Sequence, residues 1–322
     1  MKRIYLIIFL SIFAISAVTA QESPLHGQYL QNYYYLNPAV GGSMKTSPLR
    51  LIIYQQWKGF SESPTTSAIS YHQRVPVSPA RNVYTVASHG FGGTIFSQKR
   101  GALKQTGVQV SYAYHIPMKS FQLSLGLAVT AGQFSVDAEK LNFNEPGDPV
   151  IADEALLSKL IPDADFGVYI YNVDESAKKY WAGLSANQLV RSIATFDDYG
   201  VVDNRLAREV NVSGGYQFIK KSFMAVEASG LASIRLTTPE MEKELHVSLK
   251  TTFNRLAKTF DEENVSLLVS YWKDRAVTAA VIFELNNVYL SYSPTFWTIN
   301  ASNFTGLTHQ IMIGLNVEKR RR

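Results

Sequence analysis

From about residue 49 almost to its last residues the chain alternates apolar and polar side chains at every second position, segment after segment. Such alternation places the apolar residues of a strand on one face and the polar ones on the other. The clearest case is Phe121–Ala131: Phe121, Leu123, Leu125, Leu127 and Val129 share one face, and Gln122, Ser124, Gly126, Ala128 and Thr130 share the other. The same pattern recurs at Val108, Val110, Tyr112, Tyr114 and Ile116, at Val210, Val212, Gly214, Tyr216 and Phe218, at Leu245, Val247, Leu249, Thr251 and Phe253, and at Leu307, Ile311, Ile313, Leu315 and Val317. Short polar links separate the segments, at Pro117–Lys119, Lys220–Lys221, Lys273–Arg275 and Asn286–Asn287. Longer insertions fall near Val136–Lys159 and Ser192–Leu206. Helical patterns are scarce: Asp153–Leu160 suits one short loop helix, and Pro239–Lys243 a turn at a strand entrance. The fold class is therefore all-β. Strands of roughly ten residues and even counts predict about fourteen of them in a single domain.

Alternation alone does not separate a soluble sandwich from a membrane barrel; the polar faces do. A sandwich turns a charged face to water. Here the second face carries Ser, Thr, Gly, Gln and Ala, and Lys, Glu and Arg gather in the links. Charged residues make up 18% of the chain, low against the roughly 25% of soluble domains. Aromatic residues reach 12%. Tyr54, Trp57, Tyr180, Trp181, Trp272, Tyr289, Tyr292 and Trp297 lie near strand ends, where interfacial girdles place rings with a polar tip. These features predict a single transmembrane antiparallel β-barrel, surrounded by outer-membrane lipid.

The first twenty residues are an address. Lys2 and Arg3 precede the apolar run Ile4–Ala17, and Val18-Thr19-Ala20 supplies a cleavage-type end, so residues 1–20 are expected to be a signal peptide cut after Ala20. Residues 21–48 are rich in Tyr, Asn, Gln and Pro and close on Gly41-Gly42. They are expected to be a separate N-terminal segment, with the barrel in 49–322. Tyr29, Tyr33, Tyr34 and Tyr35, with Asn32 and Asn37, suit a plug meeting a Ser/Gln/Thr-lined lumen. Without Lys2 and Arg3 the 31 basic residues fall to 29 against 26 acidic ones, a net charge of +3. That is too little to argue for nucleic acid, and the basic run Lys319–Arg322 reads as a solvated tail.

Chemistry is sparse. With no cysteine there is no thiolate nucleophile, disulfide or Cys-ligated metal. Asp163 and Asp165 share one strand face, a spacing compatible with a glycosidase pair or a metal site, but with no partner carboxylate or His nearby in sequence they read as a loop-to-strand junction. His26, His72, His89, His115, His246 and His309 form no HxH or HExxH motif and read as lumen or loop residues. Gly183-Leu184-Ser185-Ala186-Asn187 misses a nucleophile elbow at its last position. Gly90-Phe91-Gly92-Gly93 lacks the Lys-Ser/Thr of a phosphate loop, so its glycines relieve crowding or bend a strand. An enzyme, a metal and a cofactor are not expected. Ser185 and His309 are the least poor hydrolase candidates.

One further set of residues carries a resemblance. Gln28-Tyr29, Asn32, Leu36-Asn37-Pro38-Ala39 and Gly41 are followed by Gln56-Trp57, Pro64-Thr65-Thr66, Gly92–Phe96, Ser111–Ile116, Asp163–Gly167, Ala182–Ala186 and His309. In that order they resemble the PorP/SprF family of outer-membrane proteins of the type IX secretion and gliding apparatus, over essentially the whole mature chain. Gln310 stands where the family carries an acidic residue, Ser291–Pro294 departs from its Ser-Tyr-Asp-Tyr, and the chain ends in Arg322, not in an aromatic residue. The resemblance implies a non-enzymatic barrel that anchors or helps export a type IX cargo, such as an adhesin held by its C-terminal domain. It also implies contact with a periplasmic peptidoglycan-binding component. Gln28, Tyr29, Asn32, Leu36, Asn37, Pro38, Gln56 and Trp57 are the expected partner or plug contacts. The alternative is an outer-membrane diffusion channel.

Overall fold

The computed structural model describes residues 28–60, 62–80, 82–137, 158–174, 176–190, 206–236, 241–254, 263–298 and 307–317. Residues 1–20, expected to be a signal peptide, His26, the basic run Lys319–Arg322 and most of both long insertions lie outside them. The alternating segments form fourteen strands. They are β1 (Ser47–Lys58), β2 (Thr65–Pro76), β3 (Ser88–Arg100), β4 (Leu103–Pro117), β5 (Phe121–Val136), β6 (Ser158–Asn172), β7 (Tyr180–Asn187), β8 (Arg208–Lys220), β9 (Met224–Leu236), β10 (Met241–Asn254), β11 (Glu263–Trp272), β12 (Ala276–Leu285), β13 (Val288–Trp297) and β14 (Leu307–Val317). Each pairs antiparallel with the next, and β14 returns to β1 from Ser47↔Val317 to Lys58↔Leu307. Closure removes every unpaired sheet edge, which is the condition lipid sets for a spanning sheet.

Parity decides what faces where. In β5, Leu125, Leu127 and Val129 are exposed while Gln122, Ser124 and Ala128 are buried. The expected faces of β4, β8, β10 and β14 hold in the same way. Exposed Leu and Val over a whole cylinder would cost about 25 cal/mol per Å² in water, so this outer surface belongs in hydrocarbon. The chain is a transmembrane β-barrel. Connections 137–157 and 188–207 leave from one end, the long-link end, while 118–120, 221–223 and 286–287 close the other, where β1 begins and β14 finishes.

Several expectations need correction. Tyr54, Trp272 and Tyr289 are buried and Trp181 packs inward, so they form no lipid girdle. Closeness to a strand end says nothing about the face; Tyr54 has the parity of Ile52 and Gln56, which point inward. Rings that do face outward include His89, Phe91 and Tyr112, packed together near the short-link end. His89 and His309 lie on the outer face of the wall, in neither lumen nor loop. Ser158–Leu160 and Met241–Lys243 are strand, not helix or turn, and the remainder of those two segments lies outside the described residues. Asp163 and Asp165 sit within β6, not at its junction, and point inward. β1 starts at Ser47, so Pro48 belongs to the wall.

The interior is also less uniform than a Ser/Gln/Thr lining. Ile52, Tyr54, Ala68, Phe96, Leu268, Ala280, Ile282, Tyr289 and Met312 make an apolar pad on one side. Between β8 and β10, Arg235 stands directly opposite both Glu209 and Glu242. It pairs with them at 3.5 and 2.7 Å, and Arg275 lies 3.6 Å from Glu244.

Candidate functional site

Residues 28–46 precede β1 and fold as one turn of helix, α1 (Tyr33–Leu36), followed by a 3-10 turn at Pro38–Val40. Asn37 ends α1 and caps the 3-10 turn, its Oδ1 accepting from the Ala39 N–H at 3.0 Å, and Pro38 fits the first position, where no N–H is needed. So short a helix is not stable alone; its side chains are fixed by the inward-facing residues of the strands.

The anchors run around the ring. The Tyr29 hydroxyl donates to Ser229 on β9 at 2.9 Å, and Gln31 donates to Ser293 on β13 at 2.9 Å. Asn32 donates to Gln310 on β14 at 3.1 Å. Tyr33 shares a 2.7 Å bond with Ser213 on β8, and Tyr34 a 2.6 Å bond with Ser111 on β4. Burial pushes the Tyr33 and Tyr34 hydroxyls up to about 12, so both remain neutral hydrogen-bonding groups. The Asn37 amide donates to the carbonyls of Val168 on β6 and Leu184 on β7, at 3.1 and 3.3 Å. Ser124 on β5 donates to the Ala39 carbonyl at 2.6 Å. On β2, His72 Nδ1 accepts from the Gly42 N–H at 3.1 Å. Leu30 and Tyr35 pack on the apolar pad, and Tyr29 and Leu36 join Leu231.

The backbone of residues 37–41 lies in a trough. Gly90, Ala113, Gly126 and Gly167 are consecutive partners across β3, β4, β5 and β6. A side chain at Gly126 would run into the Ala39 backbone, and one at Gly167 into the Asn37 amide. Close approach thus requires glycine on this inner row. Near the short-link end Arg74 donates to Tyr171, Gln122 and the Gly42 carbonyl, at 2.8, 2.7 and 3.3 Å. His115 Nε2 donates to the Gly41 carbonyl at 2.8 Å, and its Nδ1 lies 3.2 Å from the Tyr171 hydroxyl, so one tautomer serves both contacts.

Of the expected contacts, Gln28, Tyr29, Asn32, Leu36, Asn37 and Pro38 come together in this buried segment. Gln56 points inward from β1 and donates to the Tyr54 hydroxyl at 3.2 Å. Trp57 stands apart at the long-link rim, at a bulge with φ of 48°, its ring 6.0 Å from Trp297. Sequence reading missed the inner glycine row, Arg74, and the Glu209–Arg235–Glu242 row; the inward parity of Gly90, Gly92, Gly126, Gly167 and Gly183 was the available signal. Ser185 points inward from β7 and donates to Asn187, whereas His309 faces outward from β14, so these two do not form a hydrolase pair.

A recess of about 290 Å³ opens above the segment, lined by Tyr35, Leu36, Asp163, Asp165, Glu209 and Arg235. A second, of about 220 Å³, lies on its other side, lined by Tyr33, Tyr34, Tyr35, Arg50, Glu227 and Lys250. Tyr35 borders both.

Among solved structures the chain is similar to the Ralstonia pickettii toluene transporter TbuX, at 11% identity and TM-score 0.47, covering 93% of this chain and 96% of that one. It is also similar to a Pseudomonas aeruginosa FadL homologue, at 9% identity and TM-score 0.48, covering 87% and 92%. Similarity to Haemophilus ducreyi BamA lacking POTRA domains 1-3 is weaker, at 10% identity and TM-score 0.42, covering 84% and 70%. No curated protein matches. A family profile described as "Type IX secretion system membrane protein PorP/SprF" matches residues 18–315, and this outer-membrane β-barrel therefore belongs to the PorP/SprF family of type IX secretion system membrane proteins.

Proposed function

We propose that this chain is a non-enzymatic anchor or export adaptor for a type IX-secreted surface protein, such as an adhesin, within the secretion and gliding machinery. Residues 28–46 act as a built-in plug, so the barrel works as a closed docking platform and not as a pore. The observation that carries this reading is the hydrogen bonding of one short segment to strands β2, β4–β9, β13 and β14 and its packing on the apolar pad, with a recess on each side of it. Short turns in the periplasm and longer loops outside are the rule for such barrels. Cargo then meets the long-link end through its C-terminal domain, and a periplasmic peptidoglycan-binding component meets the other end. The signal peptide in residues 1–20 delivers the chain to its membrane.

The test is affinity isolation of the full chain from gently solubilised outer membranes. A large secreted surface protein should come down with it and be lost when that protein's C-terminal domain is removed. Recovery of the barrel alone, under conditions that hold other envelope complexes together, would sink the anchoring role. The runner-up, a diffusion channel, requires large steady conductance from the intact chain in planar bilayers.

A further inference from the structure

The recess of about 220 Å³ on the short-link side of the segment holds groups that neither plugging nor cargo docking uses. A dry cavity of about 150 Å³ takes up one benzene molecule, so this volume has room for a ring and a small polar head. The segment forms its roof. Tyr33 and Tyr34 turn their hydroxyls to Ser213 and Ser111, which leaves the carbon of their rings to line the space. Trp181 and Ile52 extend the apolar lining. Thr94 stands on the same wall, 2% exposed, and its hydroxyl has no hydrogen-bond partner among the described residues. A buried hydroxyl left unpaired costs free energy that a ligand oxygen recovers.

Lys250 on β10 and Glu227 on β9 are direct cross-strand partners, and both line the recess. Opposite charges so placed ordinarily pair. Here Glu227 Oε1 accepts from the Trp181 indole N–H at 2.9 Å instead. Among the described residues Lys250 makes no hydrogen bond or ion pair, and Glu227 Oε2 accepts none. Arg50 on β1 is held by neutral acceptors, the carbonyls of Leu49 and Leu315 and Asn316 Oδ1, with its guanidinium 4.3 Å from the centre of the Tyr289 ring. Lys179 and Glu284 lie close enough to act on this set electrostatically. Lys45 is exposed beside the mouth and is not on the wall of the recess. Cations and carboxylates thus face the recess together, and no ion pair joins any two of Arg50, Lys179, Glu227, Lys250 and Glu284 among the described residues.

We propose that this recess binds one free aromatic amino acid as its zwitterion, with the carboxylate on Lys250, the ammonium on Glu227 Oε2 and the ring against Tyr33, Tyr34 and Trp181. An α-ammonium and an α-carboxylate sit on one carbon, which matches facing side chains that start about 5 Å apart on neighbouring strands. A ligand of one charge meets its like: a plain carboxylate faces Glu227, and a plain amine faces Lys250 and Arg50. Ring packing on the two tyrosines and Trp181 selects an aromatic side chain over an aliphatic one. With the short turns in the periplasm, the ligand enters from there. The inference does not depend on what docks at the long-link end; it needs residues 28–46 in place, because they form the roof.

The experiment is isothermal titration calorimetry of the full-length barrel in maltoside detergent with L-phenylalanine, N-acetyl-L-phenylalanine, L-phenylalanine amide and glycine. The acetylated probe keeps only the carboxylate, the amide only the ammonium, and glycine both charges without the ring. The variants are Lys250→Met and Glu227→Gln, the second of which still accepts from Trp181. Retained heat-modifiable migration on gels shows that each variant still forms the barrel. L-phenylalanine should bind one per barrel, roughly tenfold more tightly than any other probe, because each lost charge-assisted contact is of that order. Lys250→Met should weaken L-phenylalanine by roughly tenfold and leave the amide no weaker. Glu227→Gln should weaken L-phenylalanine to a similar extent and leave the acetylated probe no weaker. A general loss of packing would weaken all probes alike and does not give this crossed pattern. Equal affinity of wild type and both variants for L-phenylalanine, all probes weakened alike, or no saturable uptake of L-phenylalanine would overturn the assignment. So would an acetylated probe, an amide or glycine that binds as tightly as L-phenylalanine, the first two marking a site for a chain terminus.

Discussion

Two side chains illustrate how much of the interior rests on single residues. Asn37 is buried and commits its whole amide to three backbone groups: Ala39 N–H, Val168 C=O and Leu184 C=O. Asn37→Ala strands these groups and should cost about 1–3 kcal/mol of segment docking, read as easier proteolysis of residues 28–46 in detergent with the strand core still protected. Arg235 presents the opposite risk. It is nine-tenths buried between Glu209 and Glu242, its pairings at 3.5 and 2.7 Å. Arg235→Met leaves two carboxylates without their cation and should destabilise the barrel by roughly 3–5 kcal/mol, measured by urea unfolding. The triple replacement Glu209→Gln, Arg235→Met, Glu242→Gln should recover most of that loss. If the single and triple variants unfold alike, the pairing is not what holds β8, β9 and β10 in place there.

At the scale of elements, the segment and its trough make one unit. The inner row Gly90–Ala113–Gly126–Gly167 leaves room for the backbone of residues 37–41, and a Val at Gly126 or Gly167 occupies that room. The wall itself tolerates Val in a strand. Gly167→Val should therefore assemble and migrate as a folded barrel yet release the segment. Planar-bilayer conductance distinguishes the outcomes: the intact chain stays closed, while Gly167→Val and a chain lacking residues 28–46 both open. Conductance of all three alike would rule out a plug. The strands are legible in the sequence because lipid outside and a crowded lumen inside impose period two, as Leu125, Leu127 and Val129 against Ser124 and Ala128 show. The site is legible there only in part. Asn37, Pro38 and Tyr29 stand out as turn-formers and aromatics in a non-strand segment. The glycine row and the Glu209–Arg235–Glu242 row exist only once register is known, because each draws its members from different strands. Tyr54 and Trp272 are easily misread because an aromatic at a strand end suits a lipid girdle and a lumen equally until parity is fixed.

For the molecule as a whole, orientation decides which recess meets the cell exterior. The recess bordered by Asp163, Asp165, Glu209 and Arg235 opens toward the long-link end, and the one bordered by Arg50, Glu227 and Lys250 toward the end where β1 begins. The absence of cysteine from the sequence makes this directly measurable, since any introduced thiol is the sole target. Ala102 lies in the β3–β4 turn at the long-link end, and Lys119 in the β4–β5 turn at the other. Lys119 is exposed, and Ala102 and Lys119 both lie in turns between strands. With short turns kept in the periplasm, Ala102→Cys should react with a membrane-impermeant maleimide on intact cells. Lys119→Cys should react only after the outer membrane is opened. The reverse pattern would invert the barrel, turn the Arg50–Lys250 recess outward, and move cargo docking to the end now given to the periplasmic partner.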